Sequence, residues 1–331
     1  MQKDILFIKA CQNGQKGVVA SFLKSGGIHV NRKDDDGLTA LHYACRKGSK
    51  DIVKLLIENG AEVNSTSNIG STPLHMAVVA GSKDIIRLLI DAGADVDATD
   101  NDGRNAIIYG VKAGKAEIVK YLKELGADVT LADNEGRTAT DYVNITGLAQ
   151  MVDLIGTEEM NKRDAYGNTP LHQACNNGHS EVVRRMLQLK QIEVDSVNDI
   201  GETPLYIAVK ENNFYITELL LKAGADVGKT DDNGEGLLHV AARQRKTHIV
   251  EALVKHGGDC NSRNKYGETP LICAIKSREA EKGSIDIVEI LLEAGADVNV
   301  TDMWGKSALY YAVTGKNEGI VELLLEAGAE E

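Results

Sequence analysis

The sequence predicts an all-α solenoid of about ten stacked helix-turn-helix units, and three observations predict it. Turn glycines recur at a fixed spacing: Gly37, Gly70, Gly103 and Gly136 stand 33 residues apart, and the series resumes at Gly167, Gly201, Gly234, Gly267 and Gly305. Several of these glycines precede the same short stretch, Thr72-Pro73-Leu74-His75 in one unit and Thr169-Pro170-Leu171-His172 in another. Units close on a third motif, Gly93-Ala94-Asp95-Val96 or Gly295-Ala296-Asp297-Val298-Asn299. A fixed period of this length marks a solenoid, in which no unit buries its apolar face without its neighbours.

Asn68 to Ala98 shows the logic of one unit. Asn68-Ile69-Gly70 makes a turn, with glycine free to take positive φ. Thr72 is placed to cap the first helix, and Pro73 sits at its first position, where a missing N–H does no harm. Leu74, Ala77 and Val78 give this helix one apolar side, and Ile85, Ile86, Leu88 and Leu89 do the same for the second. Gly93 ends it. Neither helix is long enough to hold alone in water, so stacking must stabilise both.

These motifs resemble those of the ankyrin-repeat family, and the resemblance covers nearly the whole chain. It implies β-hairpin-like loops between units and a concave groove lined by loop tips and the exposed side of each first helix. The units follow in order. Residues 1–33 lack the turn and the Thr-Pro element and read as an N-terminal capping repeat. Repeats two (34–66), three (67–99) and four (100–132) keep the pattern, although repeat four has Asn105-Ala106-Ile107-Ile108 for the capping stretch and Gly110 where alanine is usual. That glycine is expected to cost about 1 kcal/mol of helix propensity.

Repeat five (133–163) is degenerate. Polar Thr140 takes a core leucine position, and the second helix shrinks to about Leu148–Ile155. Its two readings are structural drift and a hinge with an altered stacking angle. Repeats six (164–197), seven (198–230) and eight (231–263) return to pattern. Repeat nine (264–301) carries an insertion, 278–282, between its helices, and residues 302–331 read as a C-terminal capping repeat.

Composition narrows the function classes. With 43% apolar but only 4% aromatic residues, the interior must be thin layers of Ala, Leu, Ile and Val. The formal net charge is −12, and most of the acidic excess lies after residue 163. Such a balance disfavours phosphate backbones and anionic lipid. The five cysteines make no zinc-like pair; Cys11, Cys45 and Cys175 fall at a small buried helix position. The expected protein is a reduced, cytoplasmic monomer with no metal, cofactor, membrane span or nucleic-acid partner. No nucleophile elbow, metalloprotease pair or phosphate-binding glycine loop is present, so an enzyme is not expected.

His42, His75, His172 and His239 share one repeat position, which argues for a brace between repeats rather than a metal site. Contact residues are expected where repeats differ. The tip residues Tyr166, Tyr266 and Trp304 precede their turn glycines. Tyr43, Met76, Tyr109, Gln173 and Tyr311 stand on first helices, with Arg46, Arg104 and Glu202 nearby. Aromatics and arginine are the types that dominate binding hot spots. Arg243, Arg245 and Lys246 form a basic island, read as a solvated helix end or as a contact for an acidic peptide or phosphate. Asn31, Asn64, Asn261 and Asn299 resemble the asparagines hydroxylated in animal ankyrin repeats. The expected function is a scaffold that binds another protein through its groove; the alternative is a sensor for a small phosphate-bearing ligand.

Overall fold

The computed structural model describes residues 2–231, 234–276 and 282–330. It is helical and divides into two compact units, Met1–Glu159 and Met160–Glu331. In the first unit the helices come in pairs: Gln2–Gln12 with Lys16–Ser25, Ala40–Lys47 with Lys50–Glu58, Pro73–Ala80 with Lys83–Asp91, and Ala106–Lys112 with Ala116–Glu124. Ala139–Thr146 is followed only by a 3-10 turn, Ala149–Met151, and the short helix Val152–Ile155, so the predicted shortening of repeat five is present. The second unit pairs Pro170–Asn176 with Ser180–Met186, Pro204–Lys210 with Phe214–Lys222, and Leu237–Arg243 with Thr247–Lys255. Pro270–Lys276 with Lys282–Glu293 and Ala308–Thr314 with Glu318–Glu326 complete it. Within each unit, first helices stack on first helices and second on second. The insertion at 278–282 lies outside the described residues except for Lys282, where the second helix of repeat nine begins.

The core is thin and aliphatic. Leu74, Ala77 and Val78 meet Ile85, Ile86 and Leu89, all essentially inaccessible to solvent. Each such Leu or Ile contributes roughly 1.5–3 kcal/mol on burial, which offsets the marginal stability of helices this short. All five cysteines are buried and unpaired, and burial pushes the Cys11 thiol up to about 12.

First helices begin as the motif implies. The Thr72 N–H donates to His75 Nδ1 at 3.0 Å, while the Thr72 side chain accepts a helix N–H in return. In repeat four Asn105 replaces that threonine and caps equally well, accepting from the Ile108 N–H at 3.0 Å. Gly110 has a reason beyond helix propensity: a Cβ there would lie 2.8 Å from Val119 Cγ2, so the close helix pair demands glycine. In repeat five the Thr140 hydroxyl is buried without a hydrogen-bond partner, a cost that the leucine usual at this position avoids.

The loops between repeats contain no strand among the described residues, only isolated bridges such as Thr230 with Gly236. An acidic or amide side chain closes the tips instead, except in repeat three, where the Ser67 hydroxyl accepts from the Ser71 N–H at 3.2 Å. Asp100 Oδ1 accepts the N–H groups of Asp102 (3.0 Å) and Arg104 (2.9 Å), and Asp34, Asp133, Asp164, Asn198, Asn264 and Asp302 close their own tips in the same way. Adjacent tips are tied by an amide ladder in which Asn68, Asn101 and Asn134 each donate to the preceding tip. This ladder explains the turn glycine: at Gly70 (φ +77°) a Cβ would sit 2.5 Å from the Asn101 backbone nitrogen.

Candidate binding surface

The histidine brace is present. His42 Nδ1 accepts from the Thr39 N–H (3.1 Å), and its Nε2–H donates to the Ser71 carbonyl of the next repeat (3.0 Å). His172 reaches the Glu202 carbonyl at 3.1 Å and His239 the Glu268 carbonyl at 3.0 Å. Burial lowers all four histidines, His75 to about 4, so each stays a neutral imidazole; His75 bonds Thr72 at the start of its own helix, and its buried Nε2 has no partner in the next repeat among the described residues.

Several first-helix candidates prove to serve the fold. The tip aspartates use Oδ1 to close the turn, and their buried Oδ2 needs another donor. Tyr43 Oη donates to Asp34 (2.6 Å), Tyr109 Oη to Asp100 (2.8 Å) and Tyr311 Oη to Asp302 (2.6 Å). Gln173 takes the same role toward Asp164 at 3.3 Å. Tyr43 is buried and Tyr109 half-buried, which corrects the expectation that they present free groove surface. Arg46 lies over the Tyr43 ring at 4.8 Å. Arg104 pairs with Asp100 at 2.7 Å and with Asp102, so it too is committed within its own tip. Burial works against the Asp100 carboxylate, but hydrogen bonds from Arg104, the backbone and Tyr109 outweigh it and hold it below its ordinary range. Glu202 is buried and paired with Lys210 at 2.7 Å, a second correction. Met76 is half-buried on its helix. The signal that sequence reading missed is internal: Tyr or Gln nine residues after Asp34, Asp100, Asp133, Asp164 and Asp302, against Met76 after Ser67, Ile207 after Asn198 and Cys273 after Asn264; Asp231 departs from it, with Val240 at that place and Tyr206 of the preceding repeat as its donor at 3.2 Å.

The hairpin asparagines are likewise bridges. Asn31 donates to the Gly60 carbonyl (3.0 Å) and accepts from the Glu62 N–H (2.9 Å); Asn64, Asn261 and Asn299 repeat this pair of bonds one unit further on. Asn161, overlooked in the sequence, does the same toward Gln191 and Glu193.

The tips of the second unit are different. Tyr166 is 74% exposed, Tyr266 42% and Trp304 55%. Tyr166 stands apart in repeat six, whereas Tyr266 and Trp304 stack with ring centres 6.1 Å apart and planes 16° from parallel. They form one wall of a cleft of about 550 Å³ across repeats eight to ten, lined also by Glu235, Arg243, Lys265, Glu268, Cys273 and Lys276. Lys276 Nζ lies 2.5 Å from Glu268, 4.7 Å from the centre of the Trp304 ring and 5.1 Å from that of Tyr311. Burial alone would lower this ammonium, but the Glu268 carboxylate outweighs it and raises it. Arg243, the exposed last residue of its helix, is also tied into the cleft: it pairs with Glu235, approaches Glu268 at 3.7 Å and donates to Cys273 Sγ at 3.4 Å. Its sequence neighbours Arg245 and Lys246 do not line the cleft; Arg245 occupies a positive-φ turn position and Lys246 precedes the next helix.

This stack of paired helices, closed tips and cross-repeat histidines defines a helical repeat protein whose variable surface lies at tips and first helices. The family description "Ankyrin repeats (3 copies)" matches residues 2–67, 59–133, 142–231, 217–302 and 279–331, and the chain belongs to the ankyrin-repeat family. It is similar to the human SMC5-SMC6 complex localization factor protein 1 (40% identity over 70 residues, 21% of this chain and 6% of that protein). It also resembles the ANK repeat-containing protein nipk-1 of Caenorhabditis elegans (38% over 74 residues, 19% and 12%) and the zebrafish, Danio rerio, acyl-CoA-binding domain-containing protein 6 (38% over 49 residues, 15% and 16%). The chain thus spans less than a fifth of the length of these relatives, and the likeness is one of repeats. Ankyrin repeats are general protein–protein interaction modules. No helix among the described residues is long and apolar enough to cross a membrane.

Proposed function

We propose that the chain is a protein-binding scaffold whose contact surface is the cleft of repeats eight to ten, centred on Tyr266 and Trp304. The observation that carries this is the exposed, nearly parallel pair of rings, held on tips that side-chain hydrogen bonds close. Large rings held in place lose little entropy on binding and rank among the strongest hot-spot types. Arg243 belongs to the same surface, and Tyr311 supports it from behind through Asp302.

Affinity purification from the native source tests the proposal. Wild-type bait is expected to retain a partner that Tyr266→Ala/Trp304→Ala bait loses by about tenfold or more. A Tyr109→Phe bait, altered in the first unit only, is expected to recover the partner normally. Full recovery by the double variant would remove the assignment.

A further inference from the structure

The cleft separates its charges by depth. The carboxylates lie on the floor, with side-chain exposures of 18% for Glu235 and 7% for Glu268, whereas the cations reach the rim, at 43% for Arg243 and 36% for Lys276. Lys265 is also exposed, with its ammonium 5.1 Å from the centre of the Tyr266 ring. A visitor therefore meets ammonium and guanidinium groups and two aromatic faces before it meets any carboxylate. Resting on the reading of the chain as a protein-binding scaffold, we propose that this cleft docks an acidic segment of a partner protein. Its carboxylates would sit on Lys276, Arg243 and Lys265, with an apolar side chain laid against Tyr266 and Trp304.

Charge complementarity selects this occupant over a basic one. A basic segment would meet the rim cations first and reach the buried floor carboxylates only by displacing Lys276 and Arg243 from them, whereas an acidic segment shares those cations at the exposed rim. The surroundings sharpen the choice, because the second half of the chain carries most of a net charge of −12. Acidic side chains outnumber basic ones over that surface, while the cleft gathers three cations, an arrangement that fixes register more than it adds affinity. Pairing at the rim is solvent-accessible, so binding should weaken as salt rises.

Trp304 is the only tryptophan, so its emission in the full chain reports on the cleft directly. Three synthetic peptide pools of equal length and aromatic content, one rich in Glu and Asp, one rich in Lys and Arg and one neutral, serve as probes beside inorganic phosphate. The acidic pool is expected to give a saturable change in Trp304 emission, weakened about 3- to 10-fold by either Lys276→Gln or Lys265→Gln and further by salt. Preference for the basic or neutral pool would overturn the proposal, as would acidic binding indifferent to both lysine variants, a phosphate response matching that of the peptides, or no response to any pool. Basic peptides that change Trp304 emission in the wild-type chain but not in Tyr266→Ala would leave the scaffold reading standing and remove only the acidic partner.

Discussion

Repeats of the two units place opposite charges in the same repeat position. In the first unit the residue after the turn glycine is Leu38, Ser71, Arg104 and Arg137 in turn, and each arginine pairs back to the buried tip aspartate and to an acidic neighbour, Asp102 or Glu135, at the tip. In the second unit that position holds Asn168, then Glu202, Glu235 and Glu268, each glutamate paired with a cation eight residues on (Lys210, Arg243 and Lys276), and finally Lys306. An arginine at this position favours an acidic tip, because the pair neutralises both. A glutamate leaves the tip no cation to pair with, and the tips there are Ile200 and Tyr266. The lesson is that one substitution in the scaffold changes what the edge offers: repeats four and five have charged, self-paired tips, and repeats seven and nine have apolar tips, that of repeat nine beside cations drawn to the rim.

The sharpest way to break this comparison is to remove the first unit's central carboxylate. Asp100→Ala leaves Arg104, Tyr109 and two turn N–H groups without their acceptor, and is expected to cost about 3–5 kcal/mol in denaturant unfolding. A loss below about 1 kcal/mol would mean that the tip triad does not organise its repeat.

Acid titration gives the next largest effect. The folded chain accepts a proton on His75 only near pH 4, where an unfolded histidine accepts one near 6.5. Stability from this group is therefore complete above about pH 6.5 and falls as pH drops toward 4, by about 3 kcal/mol in all. His75→Gln is expected to flatten the unfolding free energy across that window; an unchanged slope would contradict the neutral brace.

A smaller effect is expected from Glu202→Gln in the second unit, about 1–2 kcal/mol, since Lys210 is half exposed and regains water when its partner is neutralised. Lys276→Gln should change stability least, by less than about 1 kcal/mol, because this ammonium is partly solvated. Equal losses for Asp100→Ala and Lys276→Gln would erase the distinction between a structural tip and a presenting one.

Much of the fold was legible because its determinants repeat. Thr72, Pro73, His75 and the positive-φ glycines do the same work in layer after layer, so periodicity alone exposes them. The candidate surface was less legible. Tyr43, Tyr109 and Tyr311 look alike in sequence to residues that bind, yet each donates to the tip aspartate nine residues before it. The pairing of Glu268 with Lys276, and of Arg243 with both Glu235 and Glu268, depends on neighbouring tips and helix ends meeting across repeats, which spacing along the chain does not reveal. Tyr266 and Trp304 were readable as exposed tips; their stacking into one platform was not.

The most direct measurement is the emission of Trp304 while the purified chain is titrated with the partner it retains. A saturable change in intensity or wavelength that tracks complex formation, and a complex weakened about tenfold or more by Trp304→Ala, is the predicted result. Complex formation that leaves Trp304 emission and affinity untouched would place recognition elsewhere and contradict the account.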